Sequence, residues 1–215
     1  MRRLGLLLCA LALAGCGGSG RPATTTKAAT PDPAATLRKL VAGSPHPLTL
    51  LTPASRKRVA VSELSEGVEA FDDQVPVHAQ RLGGGWAVAW TSGTQRTEGM
   101  TAFRAYGVAE RLVGGRWLAD MKGPVRLNPL GPDGGSVAAA QPQVAVEIKA
   151  SDAITETALF VDGTPIDTKS GGPSSRYISI YGAPAAPLPP DRHVAVAWAR
   201  AGSNASATAW WFRVK

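Results

Sequence analysis

Leu159-Phe160-Val161-Asp162-Gly163-Thr164-Pro165-Ile166 is the stretch that decides the fold. Apolar strand formers run into Asp-Gly, a pair that tolerates positive φ at both central positions of a two-residue hairpin, and a short return follows. Working outward, Val144, Val146 and Ile148 alternate with Ala145, Glu147 and Lys149, and Tyr177 to Tyr181 alternates again. His193 to Trp198 and Ala205 to Val214 flank Ala201-Gly202-Ser203-Asn204 as a last, long hairpin. Strands at this spacing, with turn formers between them, predict a β-sandwich over residues 136–215. In the last strand Trp210, Phe212 and Val214 share one face, which puts Trp211 on the other. Tyr177 and Tyr181 lie opposite Ile178 and Ile180 in the same way. Tyr177, Tyr181 and Trp211 are therefore the candidate surface-contact residues.

The Val161-Asp162-Gly163 hairpin, the Pro-rich approach Leu188-Pro189-Pro190-Asp191-Arg192-His193-Val194-Ala195-Val196 and the terminal Trp210-Trp211-Phe212-Arg213-Val214 resemble bacterial Ig-like domains. The resemblance implies an Ig-like sandwich and a structural role for His193 at a strand entry. The chain departs from the pattern at Asp191, where that family usually has Gly. Motifs of this kind speak for architecture and not for a reaction.

Upstream, Leu127-Asn128-Pro129-Leu130-Gly131-Pro132-Asp133-Gly134-Gly135 is dense in turn formers and sets a boundary at 129–136. Before it, a segment of residues 36–129 opens with Leu37, Leu40 and Val41 at helical spacing, stopped by Gly43-Ser44-Pro45. Further helical pieces are expected from Thr52-Pro53-Ala54 and from Ser62 to Phe71. Then a device occurs twice: Arg81-Leu82, glycines, and Trp86-Ala87-Val88-Ala89-Trp90; and Arg111-Leu112, glycines, and Trp117-Leu118-Ala119. Each reads as a hairpin half-buried on the Trp side. Helices followed by two hairpins resemble NTF2-like domains, curved sheets wrapped by N-terminal helices that often hold a cone-shaped pocket. The expected fold class is therefore α+β followed by all-β. Trp86, Trp90 and Trp117 are the candidate ligand-binding residues of an apolar pocket in the first domain.

The N-terminus carries an address. Arg2-Arg3 precedes an apolar run from Leu4 to Ala14, too short to span a bilayer as a helix, and Leu13-Ala14-Gly15-Cys16 is followed by Gly17-Gly18-Ser19-Gly20. Leu-Ala-Gly-Cys resembles the lipobox of bacterial lipoproteins. That resemblance implies removal of residues 1–15, a diacylglyceryl thioether on Cys16 and an acylated new N-terminus at the extracytoplasmic face of the cell membrane. Residues 16–35 are then the lipidated cysteine and a flexible linker rich in Gly, Ala, Thr and Pro.

Loss of fifteen from 215 residues leaves 200, enough for two domains with cores of their own. The formal charge of +7 falls to +5 without Arg2 and Arg3, which suits anionic headgroups or cell-wall polymers; nucleic acid is not an expected partner of an exported chain. Both cysteines, Cys9 and Cys16, sit at the N-terminus, so the folded part has no disulfide.

Catalytic signals are absent from the sequence. His46, His78 and His193 show no metal-ligand spacing, there is no Gly-x-Ser-x-Gly or Ser-x-x-Lys, and the scattered aspartates fit turns without the spacing of a calcium loop. No metal or cofactor is expected. The leading expectation is a non-enzymatic, lipid-anchored binding or adaptor protein whose partners are the membrane, through Cys16, and an envelope protein or cell-wall polymer. The alternative is a small-ligand-binding lipoprotein using the Trp86, Trp90 and Trp117 pocket; an envelope enzyme ranks third.

Overall fold

A computed structural model describes residues 30–62, 64, 71, 75–97 and 100–215, with residues 96 and 97 described by their backbone alone. Pro31–Lys215 forms one compact unit. Two α-helices stand at its start, α1 (Ala34–Val41) and α2 (Pro53–Arg56), with a 3-10 turn, Pro47–Leu50, between them. The α1 helix buries Leu37, Leu40 and Val41, the apolar triplet read from the sequence, and ends before Gly43 at φ +68°. Thr52 caps α2, accepting the Ser55 N–H at 3.2 Å.

Four strands follow as an antiparallel meander: β1 (Val77–Gly83), β2 (Trp86–Thr97), β3 (Met100–Val113) and β4 (Arg116–Asp120). Nine more make two further sheets. One has the order β10 (Lys169–Ser174), β11 (Tyr177–Gly182), β7 (Val144–Lys149), β5 (Arg126–Gly131). The other has the order β6 (Ser136–Val137), β13 (Asn204–Val214), β12 (Arg192–Ala201), β8 (Ile154–Val161), β9 (Thr164–Pro165). Asp162 at φ +50° and Gly163 at φ +79° form the β8–β9 turn, the conformation that Asp-Gly accepts most readily.

Burial stacks these sheets. Val144, Val146, Ile148 and Ile180 meet Leu159, Ala195, Ala197, Trp210 and Phe212 in one core, so the β12–β13 sheet packs on the β7–β11 sheet. The other face of the β12–β13 sheet, with Phe160, Val196, Trp198 and Ala209, packs on Trp86, Val88, Trp90 and Ala109 of the meander. The far face of the meander, with Ala89, Val108 and Ala119, receives Leu37, Leu40, Leu50 and Leu51. The β12–β13 sheet is thus an inner layer, which explains why Val194-Ala195-Val196-Ala197-Trp198-Ala199 is apolar at nearly every position. The two layers come close at Gly107, where a Cβ would lie 2.8 Å from the Thr208 carbonyl carbon.

The expected α+β class, with an NTF2-like helix-plus-antiparallel-sheet first domain, is overturned. The structure is 55% strand and 11% helical, with thirteen strands in three sheets and two short α-helices among the described residues. The reason lies in the amount of helix the sequence supports. One amphipathic pair of turns at Leu37–Val41, cut short by Gly43 and the prolines at 45, 47 and 53, covers a single face of the meander. The face bearing Trp86, Val88 and Trp90 is closed by another sheet. Of the helical piece expected from Ser62 to Phe71, Ser62, Leu64 and Phe71 alone are described.

Most of the turn-rich run at 127–135 is paired. Arg126–Gly131 is strand β5 beside β7, the Gly134 N–H donates to the Trp211 carbonyl at 2.7 Å, and the Arg213 N–H donates to Gly135 at 2.9 Å.

Candidate functional site

Two open clefts meet at the edge where the meander lies on the inner sheet. The first, of about 620 Å³, is lined by His78, Gln80, Trp90, Ser92, Asp162 and Gly163, and the second, of about 720 Å³, by Ala102, Arg104, Asp133, Thr208 and Trp211. Phe103 of β3 and Arg192 of β12 belong to both.

Local sequence positions each part. Trp90 is fixed between two rings, His78 at 5.6 Å on one side and Phe160 at 6.4 Å on the other, and is 5% exposed. The Asp162-Gly163 turn sits against its edge, since a Cβ on Gly163 would lie 3.4 Å from the Trp90 Cζ2. The Asp162 carboxylate is committed: one oxygen accepts the Val194 N–H at 2.9 Å and the other faces His193 Nδ1 at 2.7 Å. The second nitrogen of His193, Nε2, faces the Pro189 carbonyl at 2.9 Å. Burial works against a charged His193, but these two acceptors outweigh it and raise its pKa. Both ring nitrogens are spoken for, so His193 ties the β12 entry to the Asp162 turn and the Pro-rich loop.

Arg192 is different. Its guanidinium lies 4.1 Å from the Phe103 ring centroid and 5.1 Å from that of Trp211, and those two rings meet edge to face at 5.8 Å. The aromatic faces hold the cation by quadrupole attraction and fix its plane. Among the described residues no carboxylate pairs with it, and the side chain is exposed where the clefts join. A planar cation held in this way presents its N–H edges to an incoming anion at little further ordering cost. Arg104 adds charge to the second cleft, and Asp133 is the carboxylate that lines it.

The tryptophans read from the sequence fall in separate places. Trp86 and Trp90 face the inner sheet. Trp117 lies on the other face of the meander, where its carbonyl accepts the Thr36 hydroxyl at 2.7 Å and its indole N–H donates to Pro31 at 3.0 Å. The structure therefore does not bring Trp86, Trp90 and Trp117 around one pocket; Trp90 alone reaches the cleft. Trp211 looks out of the inner sheet toward Phe103. Tyr177 and Tyr181 lie on the outer face of the β7–β11 sheet, where Tyr177 donates to Glu147 at 2.5 Å and Lys149 sits 4.6 Å from its ring. Those two tyrosines and Trp211 form no common patch. Cys16 lies outside the described residues.

Phe103 and Arg192 were not singled out from the sequence, and His78 was weighed there as a metal ligand alone. The only local signal was Arg104 beside Phe103 on β3, and such a pair is too common to mark a site. Among the described residues no group of three or more His, Cys, Asp or Glu side chains gathers to hold a metal ion. Neither a protein-family model nor a curated protein matches the chain.

Proposed function

We propose that this chain is a lipid-anchored, extracytoplasmic binding protein of the bacterial cell envelope, non-enzymatic, which holds an anion-bearing partner in the clefts that meet at Arg192. The observation that carries the reading is the Arg192 guanidinium, clamped between Phe103 and Trp211, exposed and without a carboxylate partner among the described residues. The polar lining of His78, Gln80 and Ser92 supports a hydrophilic ligand over the apolar one first considered. The anchor is supported by the order of charge, apolar run, Leu-Ala-Gly-Cys and polar linker over residues 2–30.

The binding reading is tested with polygalacturonate, a carboxylate polymer, against uncharged dextran. The protein retains the polyanion and not dextran, and Arg192→Gln weakens retention about tenfold, the scale of one charge-assisted hydrogen bond. Equal retention of both polymers, or a silent Arg192→Gln, refutes it. The anchor is tested separately: Cys16→Ser leaves the membrane fraction or accumulates as uncleaved precursor, and normal processing with membrane retention refutes lipidation.

A further inference from the structure

The chain enters its compact unit beside a pair of hairpin turns. The Pro31 carbonyl accepts the Arg81 guanidinium at 2.6 Å and the Trp117 indole N–H at 3.0 Å, and Pro31, Asp32, Gly115 and Arg116 line one small recess. The β3–β4 turn there, Arg111-Leu112-Val113-Gly114-Gly115-Arg116, is exposed at all six positions. Leu112 and Val113 are large apolar side chains open to solvent, at 39% and 37% exposure. The Leu112 N–H donates to Gly85 at 2.8 Å, tying this turn to the β1–β2 turn, so the two project as one unit.

Charge surrounds the apolar tip. Arg81 lies 5.9 Å from the Trp117 ring and Arg111 5.2 Å from the Trp86 ring, each guanidinium braced on an aromatic face, and Arg116 is exposed at the turn. Among the described residues the exposed carboxylate nearest the chain entry is Asp32, and its ion pair is with Arg38 at 2.8 Å. The Asp32 charge also acts on Arg81, but no carboxylate among those residues forms an ion pair with Arg81, Arg111 or Arg116. Two apolar side chains at an apex, ringed by arginines, match the boundary between acyl chains and anionic headgroups.

We propose that the β1–β2 and β3–β4 turns form a docking surface for an anionic lipid bilayer. The proposal rests on the lipid-anchor reading for its occupant, because residues 17–30 are the only chain between Cys16 and Pro31. Fourteen residues reach no more than about 50 Å even at full extension. The first folded residue is thus confined near the headgroups, and it is flanked by the basic, apolar-tipped turns. Leu112 and Val113 enter the interface while Arg81, Arg111 and Arg116 meet lipid phosphates. The Arg192 clefts begin beyond Trp90 and Ser92, four to six residues along β2 from Trp86, so docking at the turns leaves them roughly 13–20 Å further out at the usual rise of a strand. The clefts then open toward the envelope space.

The test uses the unacylated chain of residues 17–215, which retains the whole compact unit Pro31–Lys215. It is sedimented with vesicles of phosphatidylcholine alone and of phosphatidylcholine mixed with phosphatidylglycerol. Wild type partitions onto the mixed vesicles and is released by raised salt. Each cation removed lowers partitioning roughly fivefold. Arg116→Glu with Val113→Ser lowers it at least tenfold without moving the melting temperature, since both side chains are exposed. Equal partitioning onto the two vesicle types, or a double variant that binds like wild type, overturns the proposal. Should vesicle binding fail while Cys16→Ser still leaves the membrane in cells, the docking surface falls and the anchor stands. Should vesicle binding hold while Cys16→Ser is retained normally, the anchor falls instead.

Discussion

The Asp120 carboxylate, at the end of β4, accepts the backbone N–H of Ala205 in β13 at 3.2 Å. The same side chain accepts Ser55 Oγ at 2.9 Å, Thr52 Oγ1 at 3.2 Å and an Arg58 N–H at 3.3 Å. One buried carboxylate therefore joins the α2 cap, the meander and the inner sheet. Replacing it by Ala leaves the Ala205 N–H and the Ser55 hydroxyl without this acceptor, while Thr52 Oγ1 keeps Ser55 Oγ at 2.9 Å, and it unpairs Arg58. Asp120→Ala should cost about 3–5 kcal/mol in denaturant unfolding. A loss under about 1 kcal/mol would show that water replaces the network.

Trp210 and Trp211 are adjacent in sequence and differ in surroundings. Trp210 is 4% exposed in the core between the β12–β13 and β7–β11 sheets, whereas Trp211 is half-buried against Arg192 and Phe103. Trp210→Ala should destabilise by about 3–5 kcal/mol. Trp211→Ala should cost about 1 kcal/mol, the scale of its aromatic and cation contacts, and should weaken polyanion retention alongside Arg192→Gln. Thermal melts and the retention assay read the two effects independently. A Trp211→Ala that is the more destabilising of the pair would contradict the register.

Two buried groups make stability fall as the solution becomes alkaline. Glu110 is fully buried beneath α1, neither of its oxygens makes a well-formed hydrogen bond among the described residues, and desolvation, offset only in part by the nearby Leu37 amide and reinforced by Asp32, lifts its pKa to about 8. Between its ordinary carboxylate value and 8 the folded state keeps a proton that the unfolded state has lost, so stability declines through that window. His193 has a raised pKa, so its contribution is complete below the ordinary histidine value and is lost as pH rises through the folded one. The melting temperature should therefore drop between pH 5 and pH 9, taken as roughly spanning both windows. Glu110→Gln should flatten most of the drop and stabilise by about 2 kcal/mol at the alkaline end, less than a full desolvation term because a buried amide also lacks partners. A melting temperature that rises with pH, or an unchanged profile in Glu110→Gln, would refute this assignment.

How much of this was legible in the sequence depended on range. The Asp162-Gly163 turn, the two glycine hairpins and the Trp210, Phe212, Val214 face are set by neighbours a few residues apart, and each is present as read. What covers a face is set by distant chain. Trp86-Ala87-Val88-Ala89-Trp90 shows large residues alternating with alanine, which resembles a strand with one buried side, yet all five positions are buried. The alanines are small because α1 and its neighbours press on them, and nothing local reports that. The candidate site suffered from the same blindness. Trp86 follows its glycines directly, whereas Arg116 stands between Gly115 and Trp117, and that one residue turns Trp117, paired with Leu112, onto the helix-covered face. Arg192 and Trp211 lie on paired strands more than fifteen residues apart in sequence, and only the stacking of sheets across Gly107 brings Phe103 to them.

The inner position of the β12–β13 sheet also has a temporal consequence. The residues that close over Trp86, Val88 and Trp90 are Phe160, Val196, Trp198, Ala205 and Ala209, all in the C-terminal third of the chain. A polypeptide emerging from the ribosome N-terminus first therefore displays a tryptophan-lined sheet face long before its cover has been made. The cover is completed only when the last strand, with Ala205 and Ala209, is synthesised. During that interval the meander is a natural client for chaperones, and a chain truncated anywhere before β13 would remain one.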